Sequence, residues 1–303
     1  MKKYIGAREL AEKWGVTERR IRLMCQDGRI EGATKLGWSW SIPADTPKPY
    51  DGRHMRQYKK SFLRLGSIDI GTLNRLKDSS PIGDKLFSNA RSDGYIAGLI
   101  MLGRAMDGVS VSRDEVLSVF QLTPARSLTF SDSLRIAAFR SLFLTAVETR
   151  PLYSVRSVLA MHRAFCQGWD DRHGGSWRDG YISGDESLSV DMQMETFFMQ
   201  YDREWKGIHP VFKASILLSE MVRDRPFECD NCLFALLCSC AMLLGEGYLA
   251  PMLDESHMNE LNATLALAGG KGNYEDLARL FERQIIESYS TVFQTTQNVR
   301  HSL

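Results

Sequence analysis

The sequence lacks the marks of several protein classes. Met1-Lys2-Lys3-Tyr4-Ile5-Gly6-Ala7-Arg8 returns to charge too soon for a signal peptide, so no secretory leader is expected. Its longest apolar run, Leu233 to Leu244, holds two Cys and a Ser. That run is shorter than the ~20 residues a bilayer demands, so it reads as a buried core helix. No P-loop, no Gly-x-Gly-x-x-Gly and no Gly-x-Ser-x-Gly occurs, which removes three common sequence signals for phosphate, dinucleotide and hydrolase chemistry. Proline is scarce, and Pro43, Pro47 and Pro49 fall in one short stretch that marks a break between folding units. With no secretory context, the six Cys are expected as reduced thiols. Together these absences predict a soluble cytoplasmic protein with no membrane partner.

What is present is ordinary in amount and uneven in place. The apolar fraction is 44% and the charged fraction 25%, so long disorder is excluded. The net charge of +1 hides an asymmetry: residues 1–60 carry 14 Lys+Arg against 7 Asp+Glu, a net of +7, and the remainder nets −6. A basic head on an acidic body points to a polyanionic partner for the head.

The head reads as a helix-turn-helix with a wing. Leu10, Ala11 and Trp14 share one face of a helix over 7–14. Gly15-Val16 forms the turn, Thr17 caps a second helix to about Gln26, and Asp27-Gly28 stops it. Arg19, Arg20 and Arg22 face largely outward, and Lys35-Leu36-Gly37-Trp38 centres a hairpin over 30–43. A solvated basic face is the plainer reading of these residues. The turn, cap and wing favour double-stranded DNA, with Thr17, Arg19, Arg20, Arg22, Lys35 and Trp38 as the contact set. One such head grips few phosphates, so a homodimer formed through the body is expected.

From residue 91 the helical signal dominates. The expected helices run from Ser112, a capping box with Glu115, and then over 131–147, 155–166, 191–206, 209–222, 231–246, 255–268 and 273–292. A strand signal appears only around Ser176 to Ser183. The expected organisation is a winged helix-turn-helix at 1–54, a helical connector at 55–90 and an all-α domain with one small hairpin at 91–303. Cys229, Cys232, Cys238 and Cys240 could suggest zinc. However, Cys238 and Cys240 lie about 200° apart on a helix, so buried free thiols are the better reading. His209, before Pro210, could be a base but reads rather as a capping or packed residue, and His162 reads as a packed histidine.

Two stretches resemble Fic-domain proteins, a family of AMP transferases that modify target hydroxyls. His209-Pro210-Val211 lies sixteen residues before Arg225-Pro226-Phe227-Glu228-Cys229-Asp230-Asn231, the spacing of the family's helix start and signature loop. Gly175-Ser176-Trp177-Arg178 is similar to the Gly-x-aromatic-Arg of the family's target-binding flap. Met106-Asp107-Gly108 resembles the Ile-Glu-Gly that opens many Fic domains. The first 50 residues resemble the winged heads found before some bacterial Fic domains. The resemblance implies a mainly α, Fic-like fold, with Trp177 and Arg178 on a flap that can receive a protein partner.

The same resemblance puts the chemistry in doubt. The family loop reads His-Pro-Phe-x-Asp/Glu-Gly-Asn-Gly/Lys-Arg. Here Arg225 replaces the general base and cannot accept a proton. Cys229 replaces the Mg²⁺ carboxylate, Asp230 replaces a phosphate-cradling Gly, and Leu233 replaces the phosphate-clamping Arg. Asp230 is expected to compete for the helix N–H groups that phosphate would use. Asp107, the nearest counterpart of the family's inhibitory Glu, is expected to have lost its function together with Leu233, or to be unrelated to it. No catalytic residue is assigned and no cofactor is expected. The reading is a DNA-binding regulator with an inactive Fic-like body. An active AMP or nucleotidyl transferase, using ATP and Mg²⁺, and an antitoxin-like partner of another Fic enzyme remain as alternatives.

Overall fold

In the computed structural model, placement is described for residues 4–14, 16–26, 30, 32–37, 39–46, 68–80, 90–123, 127–149, 154–182, 185–203, 205 and 207–300. The chain divides into two compact units, Met1–Met55 and Arg56–Leu303.

The first unit follows its hydrophobic pattern. α1 (Ala7–Trp14) buries Ala7, Leu10, Ala11 and Trp14 on one stripe, and α2 (Glu18–Gln26) buries Ile21, Met24 and Cys25. β1 (Tyr4–Ile5), β2 (Thr34–Leu36) and β3 (Ser39–Pro43) form an antiparallel sheet in the order β1-β3-β2. Ile5, Ile30 and Ile42 join the helices in a small separate core. The β2–β3 turn passes through Gly37 at φ 61°, a conformation glycine adopts without steric cost. Gly15, Asp27, Gly28 and Trp38, read above as turn, helix stop and wing, lie outside the described residues.

The second unit is helical. α3 (Ile70–Ser79) falls within the stretch expected as a connector and is capped by Asp69, whose side chain accepts from Thr72 N. α4 (Ala90–Met106), α5 (Arg113–Phe120), α6 (Phe130–Thr149) and α7 (Val155–Cys166) follow. A hairpin of β4 (Tyr181–Ile182) and β5 (Asp185–Ser189) precedes α8 (Val190–Arg203), α9 (Pro210–Asp224) and α10 (Asn231–Gly245). α11 (Met258–Lys271) and α12 (Glu275–Arg300) complete the chain. The hairpin lies later than the expected 176–183. Its pairing begins at Tyr181↔Ser189, because Ser176 to Asp179 is an unpaired approach segment.

α10 is the centre of the body. Every residue from Asn231 to Leu244 is buried, as an all-round apolar helix requires. It packs on α4, α6 and α9. At each buried Leu or Phe this contributes about 1.5–3 kcal/mol relative to exposure. The α4–α10 crossing is close because of Gly103: a Cβ there would stand 2.8 Å from Leu233 Cα. Among the described residues, no helix is long and apolar enough to cross a membrane.

Candidate functional site

The loop between α9 and α10 carries residues 225–230. It is shaped by two left-handed residues, Arg225 at φ 43° and Asp230 at φ 51°. Non-glycine residues seldom hold this conformation, so the surroundings must impose it. Asn231 supplies one constraint: its amide donates to Phe227 O at 2.9 Å and accepts from Phe227 N at 2.8 Å. That closes the loop on itself. Pro226 and Phe227 are buried, Cys229 is half-buried, and Arg225 and Glu228 are exposed.

Phe227 sits in an aromatic stack. His162 lies 3.7 Å from its ring centroid and nearly parallel to it, with Phe234 edge-on at 5.1 Å and Trp177 tilted at 5.0 Å. His162 Nδ1 accepts from Gly175 N at 3.1 Å, and its other nitrogen lies 3.4 Å from Cys166 Sγ. Burial lowers the His162 imidazole to about 4, so the ring is neutral and acts as packing.

Asp230 behaves differently from expectation. It makes no cap to the α10 backbone. Its carboxylate instead takes Arg104 Nη1 on one oxygen and Arg135 Nε, at 2.8 Å, on the other. Asp132 bridges the same two guanidiniums, at 2.7 Å to Arg104 and 3.4 Å to Arg135. Arg135 also lies over the Trp169 ring at 3.9 Å, and Arg104 Nε is buried without a partner among the described residues. Sequence reasoning missed Arg104, Arg135, Asp132 and Trp169. Only the presence of Arg104 inside an apolar helix hinted at them.

The carboxylate at the α10 N-terminus is Asp107's. Its Oδ1 accepts from Cys232 N at 3.0 Å and its Oδ2 from Leu233 N at 2.9 Å. This corrects two expectations at once. Asp107 is neither unrelated to position 233 nor dependent on a side chain there; it reaches the backbone. The helix N-terminus favours a negative group at this place. Burial nevertheless raises the Asp107 carboxyl above its ordinary range, while the two N–H groups pull it down.

Arg178 holds the loop from outside. Its backbone N–H donates to Pro226 O at 2.8 Å, its Nε to Arg225 O at 2.6 Å, and its Nη2 to Tyr181 O at 3.2 Å and Asp224 O at 3.4 Å. The guanidinium therefore satisfies carbonyls at the end of α9, which a helix C-terminus leaves open. Trp177 stacks between Phe227 and Phe198 and is half-buried. His209 caps α9, its Nδ1 accepting from Val211 N at 3.3 Å. Cys238 and Cys240 are buried free thiols. Among the described residues, no group of three His, Cys, Asp or Glu is arranged to hold a metal.

In the first unit, Thr17, Arg19, Arg22 and Lys35 are exposed and Arg20 is half-buried. Arg22 is held by Glu18 at 2.6 Å one turn back. Trp38 lies outside the described residues.

Solved structures share this arrangement of helices. Residues 134–508 of Fic-1 from C. elegans match with a TM-score of 0.61 at 16% identity, over 76% of this chain and 72% of that chain. The helical body has the Fic fold. A Fic-domain-containing signaling protein from Bacteroides thetaiotaomicron matches at 0.57 and 15% identity, over 74% of this chain and 96% of its own. A Fic family protein from Desulfovibrio desulfuricans matches at 0.50 and 14% identity, over 73% of each chain. No protein-family model and no curated protein matches the sequence. At these identities the Fic likeness is one of fold, and any shared activity has to be argued from the site.

Proposed function

We propose that this protein is a cytoplasmic DNA-binding regulator whose Fic-like body has no nucleotidyl-transfer activity. The observation that carries the second half is the Asp107 carboxylate on Cys232 N and Leu233 N. Those N–H groups are the ones a phosphate would use at a helix N-terminus, and they already hold an anion. Nothing else in the loop replaces what is lost. Arg225 stays protonated and cannot serve as a base, Cys229 is a poor ligand for Mg²⁺, and Arg104 and Arg135 are spent on Asp230 and Asp132. The donor set does not fit a magnesium–triphosphate group, and no reaction step is assigned.

The first half rests on the Met1–Met55 unit. Two short helices and a three-stranded antiparallel sheet suit a winged helix-turn-helix. Arg19 on α2 and Lys35 on β2 are exposed in a segment of net charge +7. In such modules the second helix enters the major groove and the wing meets the backbone. Arg22 must release Glu18 to reach DNA. An exposed i,i+4 pair is worth only about 0.3–0.5 kcal/mol, so that release is cheap. The body then serves for dimerisation, with the Trp177–Arg178 segment as a place for a protein partner.

The test is gel retardation of genomic fragments by the full chain, with its oligomeric state read by light scattering. The expected outcome is a retarded subset bound by a dimer. Arg19→Ala/Arg20→Ala should weaken it at least tenfold, and binding should fall steeply with salt. Retardation that is equal in the double variant would refute the assignment.

A further inference from the structure

We propose that a groove along α7 docks an acidic peptide carrying an apolar residue between two carboxylates. The groove has a volume of about 560 Å³ and is lined by Val155, Arg156, Leu159, Ala160, Arg163 and Gly175. It flanks the buried face of α7 that carries Val158, His162 and Phe165, and Val155 and Leu159 pack partly against the core. It is not part of the α9–α10 loop, and neither Trp177 nor Arg178 lines it.

Its chemistry is divided in a way that selects a ligand. Val155, Leu159 and Ala160 give an apolar wall one to two turns long. Arg156 and Arg163 stand seven residues apart on the same helix, about 10 Å along its axis. Both are exposed, and among the described residues neither is engaged in an ion pair or hydrogen bond. Several other arginines of the body, among them Arg104, Arg135, Arg140 and Arg223, are instead ion-paired. The two guanidiniums belong to a body whose residues 61–303 net −6.

Gly175 forms the closing edge. It sits at φ 82°, and a Cβ there would come within 2.9 Å of Arg163 Cβ and 3.1 Å of Leu159 O. Only glycine lets the approach segment lie this close to α7. The edge is fixed further by the Gly175 N–H bond to His162. The groove is therefore preformed, which lowers the ordering cost of binding.

An extended peptide with Glu at positions i and i+4 places its carboxylates about 13 Å apart on one face, with residue i+2 between them. Two arginine side chains rooted about 10 Å apart reach both, each by a charge-assisted, bidentate pair. Residue i+2, if Leu, enters the Val155–Leu159–Ala160 wall. A basic peptide meets like charge at both ends.

The experiment is fluorescence anisotropy on the full chain with a fluorescein-labelled peptide of sequence Gly-Ser-Glu-Ser-Leu-Ser-Glu-Ser-Gly. Its control carries Lys at both Glu positions. Saturable binding of the Glu peptide is expected, weakening as NaCl is raised, with none by the Lys peptide. Arg156→Glu/Arg163→Glu should weaken binding at least tenfold. Ala160→Tyr, which fills the groove from an exposed position, should do the same. All three changed residues are exposed, and unchanged thermal melts would confirm intact folding. Three results would overturn the proposal: no saturation up to millimolar protein, equal binding of the two peptides, or unchanged binding in both variants. A peptide-free dimer that both variants dissociate would also overturn it, making the groove a self-interface.

Discussion

Replacing Asp107 by Ala tests the closed loop where it is most specific. The change removes a carboxylate that accepts from two backbone N–H groups at 2.9 and 3.0 Å. Losing a helix cap costs about 0.5–2 kcal/mol. Leaving a buried donor without a partner costs about 1–3 kcal/mol. Part of this is offset, because the wild-type carboxyl is itself disfavoured by burial and sits above its ordinary range. The expected net loss is therefore about 1–2 kcal/mol. The assay is urea unfolding of the full chain followed by far-UV circular dichroism, taking the transition of the helical body. Asp107→Asn keeps one good acceptor and should lose less than half as much. A second readout separates anion from cap. With the carboxylate gone, inorganic phosphate can enter at the vacated N–H groups and should restore stability in Asp107→Ala alone. Phosphate at ten times its dissociation constant would return about 1.4 kcal/mol. If Asp107→Ala unfolds within about 0.3 kcal/mol of wild type and gains nothing from phosphate, the reasoning about α10 fails.

Two other perturbations follow from the same geometry. Asp230→Ala leaves Arg104 and Arg135 to share Asp132 and should cost about 2–3 kcal/mol, more than Asp107→Ala, by the same urea assay. His162, lowered by burial to about 4 from its ordinary 6.5, binds a proton in the unfolded chain that the folded chain refuses. Its contribution is thus complete above about pH 6.5 and is lost as pH falls toward 4, by up to about 1.4 kcal/mol per pH unit. Glu220, pushed up to about 7 by burial, acts with the opposite sign in an overlapping range. The proper readout is therefore the difference in melting temperature between wild type and His162→Gln from pH 7 to 4.5, which should shrink as pH falls. A constant difference would contradict a buried neutral imidazole.

Much of the fold was legible because its signals are local. The α1 stripe of Leu10, Ala11 and Trp14, the Ser112–Glu115 capping box and the uninterrupted apolar run of α10 each fix an element from a few neighbouring residues. The loop was legible by its spacing from His209, but its left-handed backbone at Arg225 and Asp230 was not. The electrostatics was not legible. Arg104 and Asp230 are 126 residues apart, and Asp107 and Leu233 likewise, so no periodicity links them. Reading side chains in isolation put Asp230 on the helix N-terminus. A competing pair of buried arginines takes it away, and Asp107 fills the place. The contacts of Arg178 were equally out of reach, since its guanidinium satisfies carbonyls at the end of α9, some 46 residues on.

The central claim is that the α10 N-terminus is closed to nucleotide, and calorimetric titration of the full chain with ATP and Mg²⁺ tests it directly. The predicted result is no saturable heat up to millimolar nucleotide. Saturable binding that Arg225→Ala abolishes would contradict the account. It would mean that Arg225 grips phosphate despite Asp107, and a search for label transfer from ATP to a protein hydroxyl would then take precedence.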